Sequence, residues 1–133
     1  MTRQGNDQSE KELLNRYAPW VFDQQKAEKL LKEYGAGKRD FRRADLKGVI
    51  LEDINLSDID LSGADLTNAE LENVNLSRAK LIETLFVNAK LTDANLRGAN
   101  LTRANLRGAV LQRTNLGLTM MKATLLPDGR LSP

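Results

Sequence analysis

Residues Ala94 to Ala109 read ANLRGANLTRANLRGA, with leucines at Leu96, Leu101 and Leu106. A helix repeats its apolar face about every 3.6 residues and a strand every second residue, so a spacing of five suits neither. The series continues toward the N-terminus through Leu91, Phe86, Leu81, Leu76, Leu71, Leu66, Leu61, Leu56, Leu51 and Leu46 to Phe41. Toward the C-terminus it meets Leu111, Leu116, Met121, Leu126 and Leu131. Two residues before each of these centres runs a second series of small or β-branched side chains, from Ala44 and Val49 through Ala94 and Ala99 to Thr124. The other three positions of each five are mostly polar. A period this regular marks an array of short structural units.

The physical reading is a solenoid. Each unit turns one large and one small apolar side chain inward and its polar residues outward. Five residues make only one short side of a coil. Small residues suit a narrow interior, where large and small side chains alternate to fill the space. Asn or Asp before the centre, with Gly, Ser, Asn or Asp after it, suit corner turns. The units ANLRG, ANLTR, ADLTN and ADLKG resemble the A(D/N)LXX repeat of the pentapeptide-repeat proteins, over about Phe41 to Leu126. The resemblance implies an all-β solenoid: a right-handed quadrilateral β-helix of about four coils, residue n stacking on residue n + 20 about 4.8 Å away.

Two absences bound the chemistry. The chain has no cysteine and no histidine. That excludes disulfides, thiolate or imidazole metal ligands, and Cys–His or Ser–His–Asp nucleophile systems. The N-terminal MTRQGNDQSEKE lacks the apolar core of a signal peptide, and no run approaches the roughly 18 apolar residues of a membrane span. The expectation is a soluble, cytoplasmic protein with no membrane contact. The net charge of +2 conceals an inversion. Residues 41–75 hold eight acids and three bases, whereas residues 76–113 hold seven bases and two acids.

Three segments are expected: a helical N-terminal cap over 1–40, the β-helix over 41–126, and a C-terminal turn and tail over 127–133. Ser9-Glu10-Lys11-Glu12 is a capping box ahead of Leu13 and Leu14. Pro19 can open a second helix carrying Phe22, Leu30, Leu31 and Tyr34 and stopping at Gly35. This segment covers the first coil, whose bare end is an aggregation hazard, or serves as a docking helix. At the other end Pro127-Asp128-Gly129 is a turn signal, expected to fold the tail over the last coil. Similar endings occur in cyanobacterial members of the family resembled. The extra apolar residues Leu118, Met120 and Leu125 suggest a dimer interface, as at the C-terminal ends of some members; the chain is read as a monomer or such a dimer.

A coil filled with leucine and alanine offers no water-poor catalytic cleft, and neither GxxxxGK[ST] nor GxGxxG is present. No enzyme, catalytic residue, cofactor or resident metal is expected. With a 20-residue coil Glu52 stacks on Glu72, and Asp53, Asn73, Asp93 and Arg113 form the next column. The two glutamates either share a proton or a cation, or form a solvated acidic face. Arg97, Arg103, Arg107 and Arg113 lie on different faces as a belt without interleaved aromatics, so nucleic acid is not an expected partner.

One stretch departs from the pattern. In KLIETLFVNAK, Ile82, Leu85 and Val87 occupy outward positions near one corner, edged by Lys80, Glu83 and Lys90. They are either a site for a protein partner or the mark of a register adjustment beside Phe86. The reading is a non-enzymatic interaction module, with a regulatory role, for a protein whose identity no residue names. An accessory or regulator of an enzyme in a cyanobacterium-like cell is a further reading from the resemblance. The alternative that the resemblance implies is a DNA mimic binding a type II topoisomerase, gyrase. That role needs a long acidic column, whereas the acidity here reverses after Asn75.

Overall fold

A computed structural model describes Arg16 and residues 20–133. Each five-residue unit closes on itself by one turn. The N–H three residues after the centre donates to the centre's carbonyl, as Ala64 does to Leu61 and Ala99 to Leu96, both at 2.9 Å. The second residue after the centre has a φ of 55–73° at every unit from Arg43 to Ala123, and the residue before it does not. That combination defines a type II turn. Between turns, each side hydrogen-bonds to the coil above and below. Leu46 N–H donates to Asp65 carbonyl at 2.8 Å, and Asp65 N–H donates to Ala44 carbonyl at 3.0 Å. Parallel bridges follow at every fifth residue, from Asp40↔Asp60 to Asn105↔Leu125. A partner 20 residues away and a bridge every five make a coil of four sides.

The interior holds the two apolar series. Leu51, Leu61, Leu66, Leu81, Leu91 and Leu101 are fully buried, as are Ile59, Ala64, Ala69 and Val74. Each buried leucine contributes about 1.5–3 kcal/mol. The series continues through the irregular stretch: Phe86 is fully buried, and Leu85 bridges both Asp65 and Asn105. The ladder carries no register adjustment there. Where Thr84, Thr114 and Thr124 take inward small positions, the hydroxyl finds a carbonyl of the preceding coil, whereas Thr119 donates within its own turn to Leu116. Thr84 donates to Leu61 at 2.8 Å, Thr114 to Leu91 at 2.7 Å and Thr124 to Leu101 at 2.7 Å. A buried hydroxyl so satisfied avoids its desolvation penalty.

A helix, α1 (Trp20–Gly35), lies against the first coil. Ala27 and Leu30 are buried in one cluster with Phe41 and Leu46, with Leu31 and Tyr34 partly buried beside them. Tyr34 hydroxyl donates to Ser57 carbonyl at 2.8 Å, and Lys26 lies 3.5 Å from Asp45. The helix stops at Gly35 as its sequence suggests, with Gly37 at a φ of 105° in the exit. The capping box at Ser9, Leu13, Leu14, Pro19 and the side chain of Phe22 fall outside the described residues.

The C-terminal end is less covered. Gly129, at a φ of 87°, donates its N–H to Leu126 carbonyl at 2.8 Å, and the chain turns back. Leu131 pairs antiparallel with Leu125, and Ser132 hydroxyl donates to Met121 carbonyl at 2.9 Å. The five-residue step does not survive this turn. Leu131, read from spacing as inward, is 62% exposed because the reversal takes it out of register. The last inward residues, Leu111, Leu116 and Met121, are only partly buried.

Candidate functional site

With the core filled, function rests on the outward side chains, and the ladder fixes where each stands. Ile82 and Val87 are the first turn residues of two successive sides, and Leu85 lies on the side between them. The three span one side from turn to turn, where the sequence suggests a single corner. Leu85 is 38% exposed, and Ile82 and Val87 are half-buried. One coil away stand polar residues: Ser62 and Thr102 for Ile82, Asp65 and Asn105 for Leu85, and Thr67 and Arg107 for Val87. The apolar strip is therefore bounded above and below by polar columns.

Charges of opposite sign meet once residues 20 apart are stacked. Arg113 binds Asp93 through two nitrogens at 2.7 and 3.1 Å, and Arg78 binds Asp58 at 3.0 and 3.1 Å. Arg103 lies 3.4 Å from Glu83, and Lys90 lies 3.6 Å from Glu70. Asn73 donates to Asp53 at 2.8 Å. In each ion pair the acid belongs to one coil and the base to the next. The hydrogen bonds from Arg78 and Arg113 hold the Asp58 and Asp93 carboxyls below their ordinary range. Of the cations read as partner contacts, Lys90, Arg103 and Arg113 are thus engaged within the column. Lys80, Arg97 and Arg107 are exposed and make no ion pair among the described residues.

Glu52 and Glu72 stack as their spacing requires, and Glu70 joins them: one carboxylate oxygen from each lies within 4.8 Å of the others. Burial, and then the charge of Glu52, push the Glu72 carboxyl above its ordinary range. Glu72 Oε1 is buried without a hydrogen-bond partner. Glu70 was legible as a third member, since it lies two residues before Glu72 across the inward Leu71. A further column is Asn55, Asn75, Asn95 and Asn115, each the residue before its centre, where the sequence suggests a corner turn. Each side-chain carbonyl accepts the N–H two residues on, at 2.9–3.1 Å, and so holds its turn.

Two hollows mark the outer surface. A crevice of about 370 Å³ lies between α1 and the first coil, floored by Leu30, Phe41 and Leu46. The larger, of about 700 Å³, opens beside Ile82, with Gly63 at its middle and Arg43 and Glu83 one coil to either side.

A four-sided column of five-residue units, filled by leucine and small residues and laced outside by rungs 20 residues apart, is a β-solenoid scaffold. The chain belongs to the pentapeptide-repeat family. The family model of pentapeptide repeats (8 copies) matches residues 40–78 and 84–119. A pentapeptide repeat protein of Nostoc PCC 7120 is 44% identical over 65% of this chain and 71% of its own, with a TM-score of 0.64. The pentapeptide repeat protein Rfr23 of the cyanobacterium Cyanothece 51142 is 35% identical over 70% of this chain and 69% of its own, at a TM-score of 0.46. One from the Arabidopsis thaliana thylakoid lumen is 25% identical over 69% of this chain and 61% of its own, at 0.42. Membership gives the coil its right-handed quadrilateral form. No curated protein matches the chain by sequence. No helix among the described residues is long and apolar enough to cross a membrane.

Proposed function

We propose that the chain is a non-enzymatic interaction module that presents one side of its column to a protein partner. The observation that carries this reading is the strip Ile82–Leu85–Val87. It is apolar where its column neighbours are polar, and it lies on an unbroken ladder. Lys80 and Lys90 edge it, and Arg107 stands one coil from Val87, with Arg97 at another corner. The packed interior and the surface location of both hollows support binding over catalysis. A DNA mimic would need continuous acid along its columns, and the rungs at Asp58–Arg78, Glu83–Arg103 and Asp93–Arg113 alternate sign instead.

Three subsidiary readings complete the proposal. Residues 1–40 act as a cap, on the strength of the buried Ala27 and Leu30. The C-terminal end pairs two copies, supported by Leu118 at 74% and Met120 at 59% exposure. The working compartment is read as the cytoplasm of a bacterium, from the likeness to the Nostoc protein.

The test replaces both strip ends, Ile82→Glu with Val87→Glu. The equivalent turn positions elsewhere already hold Glu52 and Glu72, so the fold is expected to persist by circular dichroism. Affinity capture from cyanobacterial lysate, read by mass spectrometry, is expected to lose the partner that the parent chain retains. Equal capture by parent and double variant would sink the assignment of this side.

A further inference from the structure

We infer that the hollow beside Ile82 receives a carboxylate side chain of the protein partner, an Asp or Glu flanked by an aliphatic residue, with Arg43 as its counter-charge. The inference rests on reading the neighbouring strip as a partner surface, and it specifies the chemistry of what docks there.

The hollow of about 700 Å³ exists because the middle of its column carries no side chain. Gly63 sits at a φ of 72° between Arg43 and Glu83, and a Cβ placed on it would lie 3.2 Å from Arg43 Cγ. The Arg43 stem therefore already leans over the glycine. The two acids of the wall are each occupied. Asp40 accepts from Arg42 Nε and Nη2, both at 2.9 Å, and from the Arg42 backbone N–H at 3.1 Å. Glu83 is held by Arg103. Arg43 lines the same space and makes no ion pair among the described residues. Its planar fork of N–H donors suits a carboxylate in two-point contact.

The remaining walls narrow the ligand further. Ile82 offers an apolar wall and Ser62 a hydroxyl. A polyanion such as a nucleic-acid backbone would bring successive charges against Asp40 and Glu83, which repel it. A bare inorganic anion would leave Ile82 uncovered. One carboxylate on an aliphatic stem, with a neighbouring apolar side chain reaching Ile82 and Leu85, satisfies each group.

The experiment is a ¹⁵N NMR titration of the full chain with acetyl-Ala-Leu-Glu-Leu-Ala-amide, its Gln counterpart and sodium acetate. Saturable shifts are expected at Gly63, Ile82 and Glu83, with the Gln peptide weaker by about three- to fivefold, the scale of one exposed ion pair. Arg43→Asn, chosen because asparagine accepts the φ of 61° at this turn, is expected to erase that difference at an unchanged melting temperature. Absence of shifts at about 10 mM peptide overturns the inference, as does equal binding of the two peptides, or binding unaltered by Arg43→Asn. Acetate reproducing the peptide's shifts overturns the partner as source. If Ile82→Glu with Val87→Glu abolishes partner capture while Arg43→Asn leaves peptide binding unaltered, the partner surface stands and the carboxylate does not.

Discussion

The second residue after each centre lies in the left-handed region, a conformation costing roughly 1–2 kcal/mol for most side chains. Gly, Asn and Asp fill most of these positions, from Gly48 and Asp53 to Gly108. Arg78, Arg103 and Arg113 do not belong to that group, and each stacks on an acid one coil earlier. The rung offsets part of the backbone cost at the place where it arises. Leu118 and Ala123, where the repeat decays, have no such partner, and neither does Arg43 in the first coil. A different frustration sits at Glu72, whose carboxyl is raised by burial and by Glu52. A group whose pKa is higher folded than unfolded favours folding most below its unfolded value, and that contribution is lost as pH rises through the folded one. Glu72→Gln should therefore raise the thermal midpoint at pH 7 by about 1–3 °C, and the gain should vanish near pH 4. A gain that grows on acidification would contradict the assignment. The inward leucines were legible because spacing alone sets them. The column Asp53, Asn73, Asp93 and Arg113 was legible once the coil length was set at 20, and the asparagines before the centres were legible as turn residues, whereas the rungs Asp58–Arg78 and Glu83–Arg103 were present only as charge.

At the scale of the element, each side is too short to be stable alone, and its hydrogen bonds run to neighbouring coils. The first coil has no coil beneath it, and α1 supplies apolar cover there. Leu30 is 3% exposed at that junction. Leu30→Ala should cost about 2–4 kcal/mol in urea unfolding and speed protease cleavage near 20–40 before the column itself yields. Cleavage and unfolding at the parent's rates would show that the helix contributes little. The end of α1 at Gly35 was legible from glycine and from the apolar spacing before it. The contacts that seat it were not, because the Tyr34–Ser57 hydrogen bond and the Lys26–Asp45 pair join residues about 20 apart with no shared motif. Leu131 was misread for the opposite reason: the five-residue step remained visible in the letters after Pro127-Asp128-Gly129 had turned the chain back.

The molecule as a whole has two unlike ends. Phe41, Leu46, Leu51 and Leu56 at the helix-covered end are all below 8% exposed, whereas Leu111, Leu116 and Met121 at the other are partly open. With Leu118 and Met120 exposed alongside them, pairing of two copies here is expected. Light scattering should give twice the chain mass for the parent and the single mass for Leu118→Lys with Met120→Lys. Lysine at 118 is tolerable, since Arg103 and Arg113 occupy the same kind of turn position. A parent of single-chain mass would remove the dimer.

The 20-residue rung spacing also governs how such a gene can change in length. Removal of one residue inside the column would turn a polar side chain inward in every later unit and set each acid beside the wrong neighbour. Loss or duplication of five residues would restore the inward series but rotate the later sides by a quarter turn, leaving Asp58 beneath a residue other than Arg78. Only a change of 20 keeps the apolar interior and the rungs together. Inheritance of this protein is quantised in whole coils, and descendants should differ in height more readily than in girth.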